Sequence, residues 1–126
     1  MSTNVGPSMQ KPIWEPGPER VERANISRFM RFVRDAIGNE DIRRYAPLYD
    51  FSIRFPDRFW PLVWEFCGIR AHGEHEPVLV DREKMPGARW FPNVTLNFAQ
   101  NLLRFKDERP AIVFRNEWGH RREITF

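Results

Sequence analysis

Apolar residues along the chain change their spacing three times. From Pro18 onward, Val21, Ile26, Phe29, Met30, Val33 and Ile37 recur close to helical spacing, and Phe32 widens the stripe. Proline suits a first helical position, and the Glu19 carboxylate complements the dipole there. Gly38-Asn39 is a stop signal, so one helix is predicted over 18–37. Residues 42–69 predict two short helices. Pro47 opens the first, with Leu48, Phe51 and Phe55 facing inward. Pro56 opens the second, with Asp57 as its cap. Phe59, Trp60, Val63, Trp64, Phe66 and Cys67 make that second helix apolar on most sides, which predicts burial on more than one side. Pro61 is tolerated because it falls near the first turn.

After Ile69 the spacing shortens. Residues 70–76 read as a polar loop and Val78–Val80 as a short strand. Met85–Pro92 is too rich in Pro and Gly for a regular element and is expected to plug Trp90 and Phe91 into a surface. Leu96, Phe98, Ala99, Leu102, Leu103 and Phe105 predict a helix of about ten residues opened by Thr95. Ala111–Phe114 and Arg122–Phe126 predict two strands around the turn signal Asn116-Glu117-Trp118-Gly119. Ahead of the helix, Pro7, Pro12 and Pro16, with Pro18 at its start, exclude regular helix, so residues 1–17 read as an extended lead-in that Ile13 and Trp14 tack onto a body. The sequence stops inside an apparent strand, at Ile124-Thr125-Phe126, and the expectation is a truncated chain.

Composition narrows the class. Leu, Ile, Val and Phe make up 26% of 126 residues, above the level at which disorder is the default. No apolar run is long enough to span a bilayer, so no membrane partner is expected. No apolar h-region marks a secretory signal, and the lone Cys67 fits a reducing, cytoplasmic setting. Twenty basic against 17 acidic residues give a net charge of +3, and 17 of the basic residues are Arg. Acids sit beside bases almost everywhere, unlike the one-sided charge of a nucleic-acid binder, so no nucleic-acid partner is expected.

Candidate chemistry is sparse. His72, Glu74, His75 and Glu76 stand close together, but in a loop and without a distant second ligand pair. Cys67 lies on an apolar helix and reads as a buried, inert thiol. Arg20, Arg23, Arg31 and Arg34 lie along one side of the first helix and read as its wet face. Asn97 and Asn101, four apart, read as backbone-binding rather than catalytic. Asn25-Ile26-Ser27 and Asn93-Val94-Thr95 match a glycosylation sequon by chance. The glycines are scattered, and neither a phosphate-cradling loop nor a Gly-x-Ser-x-Gly elbow is present. The residues by themselves assign no catalytic, cofactor-binding or metal site.

Several stretches nonetheless carry a resemblance. Tyr45-x-x-Leu48, Ser52, Pro56-x-x-Phe59-Trp60, Arg89-Trp90-Phe91-Pro92 and Leu96-Asn97-Phe98-Ala99-Gln100-Asn101-Leu102-Leu103 are similar to the start of the acyl-CoA ligases that activate acetate and acetoacetate, within the adenylate-forming superfamily. Arg109–Phe114 followed by Ile124–Phe126 looks like the first strand pair of their large domain. Within that group, Trp14-Glu15-Pro16, Ala24–Phe32, Leu79-Val80-Asp81 and Met85-Pro86-Gly87-Ala88-Arg89 resemble the acetoacetate–CoA ligases most. Three residues depart from the pattern: Phe51 where Trp is expected, Asn93 where Gly is common, and Pro61.

The resemblance implies an α+β fold, a mostly helical N-terminal wrap followed by the first β-hairpin of a larger, here incomplete, α/β adenylate-forming domain. Its divisions are 1–17 lead-in, 18–106 helical region and 107–126 start of the AMP-binding domain. It implies ATP, CoA and Mg2+ as requirements of the full-length enzyme, with none bound by residues of this segment. It also implies acetoacetate as substrate and the C-terminal body of the same chain as partner. The family's phosphate loop, acidic ribose contact and mobile lysine have no counterpart here, and Lys11, Lys84 and Lys106 match no such motif, so the segment alone is expected to be inactive. Another short-chain acyl-CoA ligase, for acetate or propionate, and a non-catalytic interaction module that keeps only the wrap are the alternatives.

Overall fold

The structure, a computed structural model, describes residues 12–126, so most of the 1–17 lead-in lies outside the described residues. Residues 12–17 form neither helix nor strand. The chain divides into two compact units at Asp50/Phe51.

In the first unit the stripe predicted as one helix is two: α1 (Pro18–Arg23) and α2 (Asn25–Ile37). Ala24 between them is extended, with ψ 143°. The reason is local competition for a carbonyl. The Val21 carbonyl, which the Asn25 N–H would take in a continuous helix, instead accepts from the Ser27 hydroxyl at 2.6 Å and from the Ala24 N–H at 3.2 Å. The Ser27 and Arg28 N–H groups then restart the ladder on the Ala24 carbonyl. Gly38 ends α2 as expected, at φ +64°, and both its N–H and that of Asn39 return to the Arg34 carbonyl. Phe29 and Val33 of α2 are buried, with Ile42 from the turn that follows and Leu48 of the next helix.

That helix, α3 (Tyr45–Arg54), carries the boundary between the units. It opens two residues before Pro47. A proline at the third helical position costs nothing there, because that N–H has no acceptor inside the helix.

The second unit begins with α4 (Pro56–Cys67). Asp57 is not its cap: Phe55 occupies that position, Pro56 is the first helical residue, and Asp57 acts only as a first-turn carboxylate. Pro61 stands inside an uninterrupted helix, and Gly68 closes it at φ +60°. The expected burial on more than one side is only partial. Pro56 is its one buried residue, Trp60 and Cys67 are exposed, and the other apolar side chains are half-buried. Phe55, expected to face inward, is exposed as well, whereas Leu48 and Phe51 are buried.

Three antiparallel strand pairs follow. β1 (His72–Gly73) pairs with β4 (Val94–Thr95), so the expected polar loop contains a strand. β2 (Leu79–Val80) pairs with β3 (Arg89–Trp90), which lies inside the segment judged too irregular for any element. Both pairings are two residues long and set by distant partners, which period counting cannot see. Gly73 permits the first: at φ +111°, a Cβ there would lie 2.1 Å from the Asn93 carbonyl oxygen. Between β4 and the last hairpin, α5 (Phe98–Leu102) spans five residues, half the expected length. Its cap is Asn97 rather than Thr95, and the Asn97 Oδ1 accepts from the Gln100 N–H at 3.0 Å. β5 (Pro110–Arg115) and β6 (Arg121–Thr125) form the predicted hairpin, with an irregularity between Pro110 and Ile112. The α+β class of the sequence reading stands.

Candidate functional site

Several of the residues that carry the resemblance, Phe59, Trp60, Trp90 and Phe91 among them, belong to a run of aromatic rings in the second unit. Phe51 meets Phe59 edge-on at 6.1 Å, Phe59 meets Trp60 at 5.5 Å, and Trp60 meets Trp90 at 5.8 Å. Trp64 lies 4.9 Å from Phe91 and 4.7 Å from the His75 ring. These separations are those of favourable aromatic pairs. The sequence expected both Trp90 and Phe91 to be plugged in. Phe91 is half-buried against Trp64, but Trp90 remains 45% exposed. Between Trp60, Trp90 and Phe91 lies an apolar cleft of about 240 Å³. It can receive a flat or aliphatic group, but its lining has no acid, base or nucleophile.

Two further clefts have charged residues in their lining. One of about 320 Å³ in the first unit has an apolar floor of Val21, Met30 and Ile42, with Arg31, Arg34 and Arg43 around it. Two of those arginines are already engaged, Arg34 with Asp35 at 2.9 Å and Arg43 with Glu40 at 2.6 Å. The other, of about 210 Å³, lies between Asp57, Leu79 and Arg82. Arg23 of the arginine row likewise holds Glu19, at 3.5 Å.

The remaining candidates resolve into structural parts. His72 sits in β1 and His75 packs on Trp64, so the two are held by different contacts. Among the described residues no group of three His, Cys, Asp or Glu is placed to hold a metal ion, and no step involving Mg2+ is assigned to them. Cys67, read as buried, is exposed: it is the last residue of α4, on a helix that is only half-covered.

Asn101 binds backbone, as its position suggested. Its Oδ1 accepts from the Arg70 N–H at 2.7 Å, and its Nδ2 donates to the Arg70 carbonyl at 2.8 Å and to the Asn97 carbonyl at 3.0 Å. Arg104 donates to the carbonyls of Cys67 and Gly68, both at 2.8 Å, and so caps the negative end of α4. Sequence reasoning missed Arg104. Its partners are 36 and 37 residues away, and a single Arg after a helix carries no local signal. Asn93, a departure from the family pattern, donates its Nδ2 to the Glu76 carbonyl at 2.9 Å. Every part of this constellation holds chain to chain; none is arranged to move a proton or attack a substrate.

Comparison with known proteins explains why aromatic and asparagine positions, rather than acids and bases, dominate. Residues 45–102 match the family described as the acetyl-coenzyme A synthetase N-terminus. The acetoacetyl-coenzyme A synthetase of Rhizobium meliloti (strain 1021) is 36% identical over 108 residues, 86% of this chain and 16% of that protein. The malonamoyl-CoA synthetase vrtB of Penicillium aethiopicum is 36% identical over 92 residues, 68% of this chain and 13% of its own length. Among solved structures, the acetoacetyl-CoA synthetase from Streptomyces lividans superposes with a TM-score of 0.74 at 32% identity, covering 91% of this chain and 18% of that one. The chain thus spans about one-sixth of the length of the curated relatives it matches. Over most of its own length this chain is similar to the acetoacetyl-CoA synthetases, and over residues 45–102 to the acetyl-coenzyme A synthetase N-terminus.

Proposed function

We propose that the chain is the N-terminal segment of an ATP-dependent acetoacetate–CoA ligase acting in the cytoplasm. The observation that carries this reading is the 36% identity over 108 residues to an acetoacetyl-coenzyme A synthetase, extending well beyond the matched N-terminal family region on both sides. The reaction of the whole enzyme has two steps. Acetoacetate attacks the α-phosphorus of ATP, giving an acyl-adenylate and releasing pyrophosphate. The thiol of CoA then attacks the acyl carbon, giving acetoacetyl-CoA and releasing AMP and a proton. Both steps depend on positioning and on stabilising phosphate charge. The part assigned to residues 18–106 is scaffolding: α3, α4 and the aromatic run form a wrap against which the catalytic body is held. Residues 107–126 begin the AMP-binding domain. No catalytic, nucleotide-binding or metal-binding role falls on any of them.

Two assays test this. The whole gene product, given ATP, Mg2+, CoA and acetoacetate, forms acetoacetyl-CoA. Residues 1–126 alone release no pyrophosphate from ATP and acetoacetate, and release by that chain would falsify the scaffolding role. A second reading, a ligase for another short acyl group, is favoured by the similarity to a malonamoyl-CoA synthetase at the same 36% identity. A comparison of acetoacetate, malonamate, acetate and propionate as substrates separates the two.

A further inference from the structure

The β5–β6 hairpin has two unlike sides. Its register pairs Ile112 with Ile124 and Phe114 with Arg122, and pairs Val113 with Glu123 and Arg115 with Arg121. Cross-strand partners share a face and successive residues alternate. One face therefore carries Ile112, Phe114 and Ile124, with Arg122 toward the turn. The other carries Val113, Arg115, Arg121 and Glu123, and an Arg121–Glu123 ion pair already suits it to water. Ile112, Phe114 and Ile124 are 59%, 53% and 50% exposed, three large side chains on one side of one short hairpin. A strand pair covered on both faces reads apolar on both, whereas one with a single covered face alternates.

We infer that the Ile112–Phe114–Ile124 face is the seat of one amphipathic segment from the rest of the same polypeptide, and that the opposite face stays in water. This rests on the reading of the chain as the first part of a longer ligase. The occupant follows from two observations. The relatives are about six times longer than the segment they share with this chain, so the covering layer is available in cis. Arg122 makes no ion pair among the described residues, and its face holds no Asp or Glu, so a second copy of the same face would bring it no counter-charge. The seated segment presents an aliphatic stripe with a carboxylate toward the turn end, where Arg122 lies.

The test uses a chimera in which this chain, with Cys67→Ser, replaces the matched segment of the Streptomyces lividans synthetase. Ile112→Cys and Val113→Cys are placed in it separately. Maleimide labelling of each position is followed by peptide mass spectrometry. The expected result is labelling about tenfold or more slower at position 112 than at 113. The same two variants of the 126-residue chain alone are expected to label at similar rates. Equal rates in a chimera that forms acetoacetyl-CoA overturn the inference and leave the ligase reading intact. Slow labelling at 112 in a chimera that forms none supports the face assignment and counts against the ligase reading. Equal rates in an inactive chimera count against both. Protection of position 112 in the isolated chain that rises with its concentration gives the face to a second copy and overturns the proposal.

Discussion

Helix α2 and hairpin β5–β6 each carry a one-sided apolar set, yet they end in opposite states. In α2 the middle of the set is covered, with Val33 fully buried and Phe29 nearly so, while Ile26 at its start stays exposed. In the hairpin no residue is buried on either face. The difference lies in what each element needs in order to cover its apolar side. Ile42, from the turn just past α2, is itself 1% exposed and comes from the adjoining stretch of chain. The hairpin satisfies its backbone by its own ladder and needs no cover to do so, but a two-stranded ribbon alone is marginal in water. Shape is therefore local in both regions, and burial is local in only one.

The largest test of that contrast is a pair of substitutions. Val33→Asp places a charge where no water reaches, a cost of about 3–5 kcal/mol, and α2 is expected to lose its amide protection in hydrogen exchange. Ile112→Thr in the 126-residue chain keeps strand propensity and removes apolar area that is already wet. Its amides are expected to shift by less than about 0.5 kcal/mol. Comparable losses at both positions would erase the distinction.

Gly73→Ala comes next, because β1 shares features with each region. Its pairing with β4 is short like the hairpin's ladder but is closed by a tight backbone approach. A Cβ at 2.1 Å from the Asn93 carbonyl oxygen, on a backbone at φ +111°, forces β1 and β4 apart. A loss of about 2–3 kcal/mol in local protection at Phe91–Thr95 is expected, with α2 unchanged. Smaller again are the ties from α5. Asn101→Ala leaves both backbone polar groups of Arg70 without their side-chain partner, for about 1–2 kcal/mol. Arg104→Ala removes two charge-assisted bonds to the end of α4, for about 1 kcal/mol at an exposed site. Both are read as faster exchange at the last turn of α4 and at Arg70.

What was legible in the sequence follows the same division between local and distant causes. The α2 stripe, its Gly38 stop and the hairpin with its Asn116–Gly119 turn were legible because spacing and turn chemistry are local. The break at Ala24 was not, because it turns on one hydroxyl, that of Ser27, taking a carbonyl from the helix ladder. Pro47 misplaced the start of α3 by two residues because a proline fits several first-turn positions, whereas Pro56 marks the start of α4 correctly and only its cap differs, Phe55 in place of Asp57. Cys67 has greasy neighbours in sequence, whereas its exposure depends on which side of α4 is covered. The Asn101–Arg70 and Arg104–Cys67 ties join residues more than 30 apart, where periodicity carries no information. The family resemblance located the aromatic run by its motifs, Trp60, Trp90 and Phe91 among them. It could not say that Trp90 stays half-exposed.

The smallest expected effect sits at the entrance of the hairpin. Asp107 accepts from Arg109 through its Nε at 2.9 Å, its Nη2 at 2.6 Å and its backbone N–H at 3.0 Å. These bonds, the side-chain ones first, hold the Asp107 carboxyl below its ordinary value of 3.8. A depressed folded value means that the stabilisation is present above the unfolded value and is lost as pH falls through the folded one. The pair is open to solvent, so the consequence is local. The Arg109 guanidinium also lies 5.0 Å from the Phe105 ring centre and 5.8 Å from that of Phe126, and the Arg109 carbonyl accepts the Phe126 N–H at 3.2 Å. Protonating Asp107 frees the guanidinium, so the Phe126 amide is expected to exchange faster only in acid well below pH 4, while the amides around Val33 do not respond. In Arg109→Ala the Asp107 carboxyl titrates at its ordinary value by NMR. An Asp107 midpoint unmoved by that substitution would show that the contact does not organise the hairpin's mouth, leaving the ladder alone to hold it.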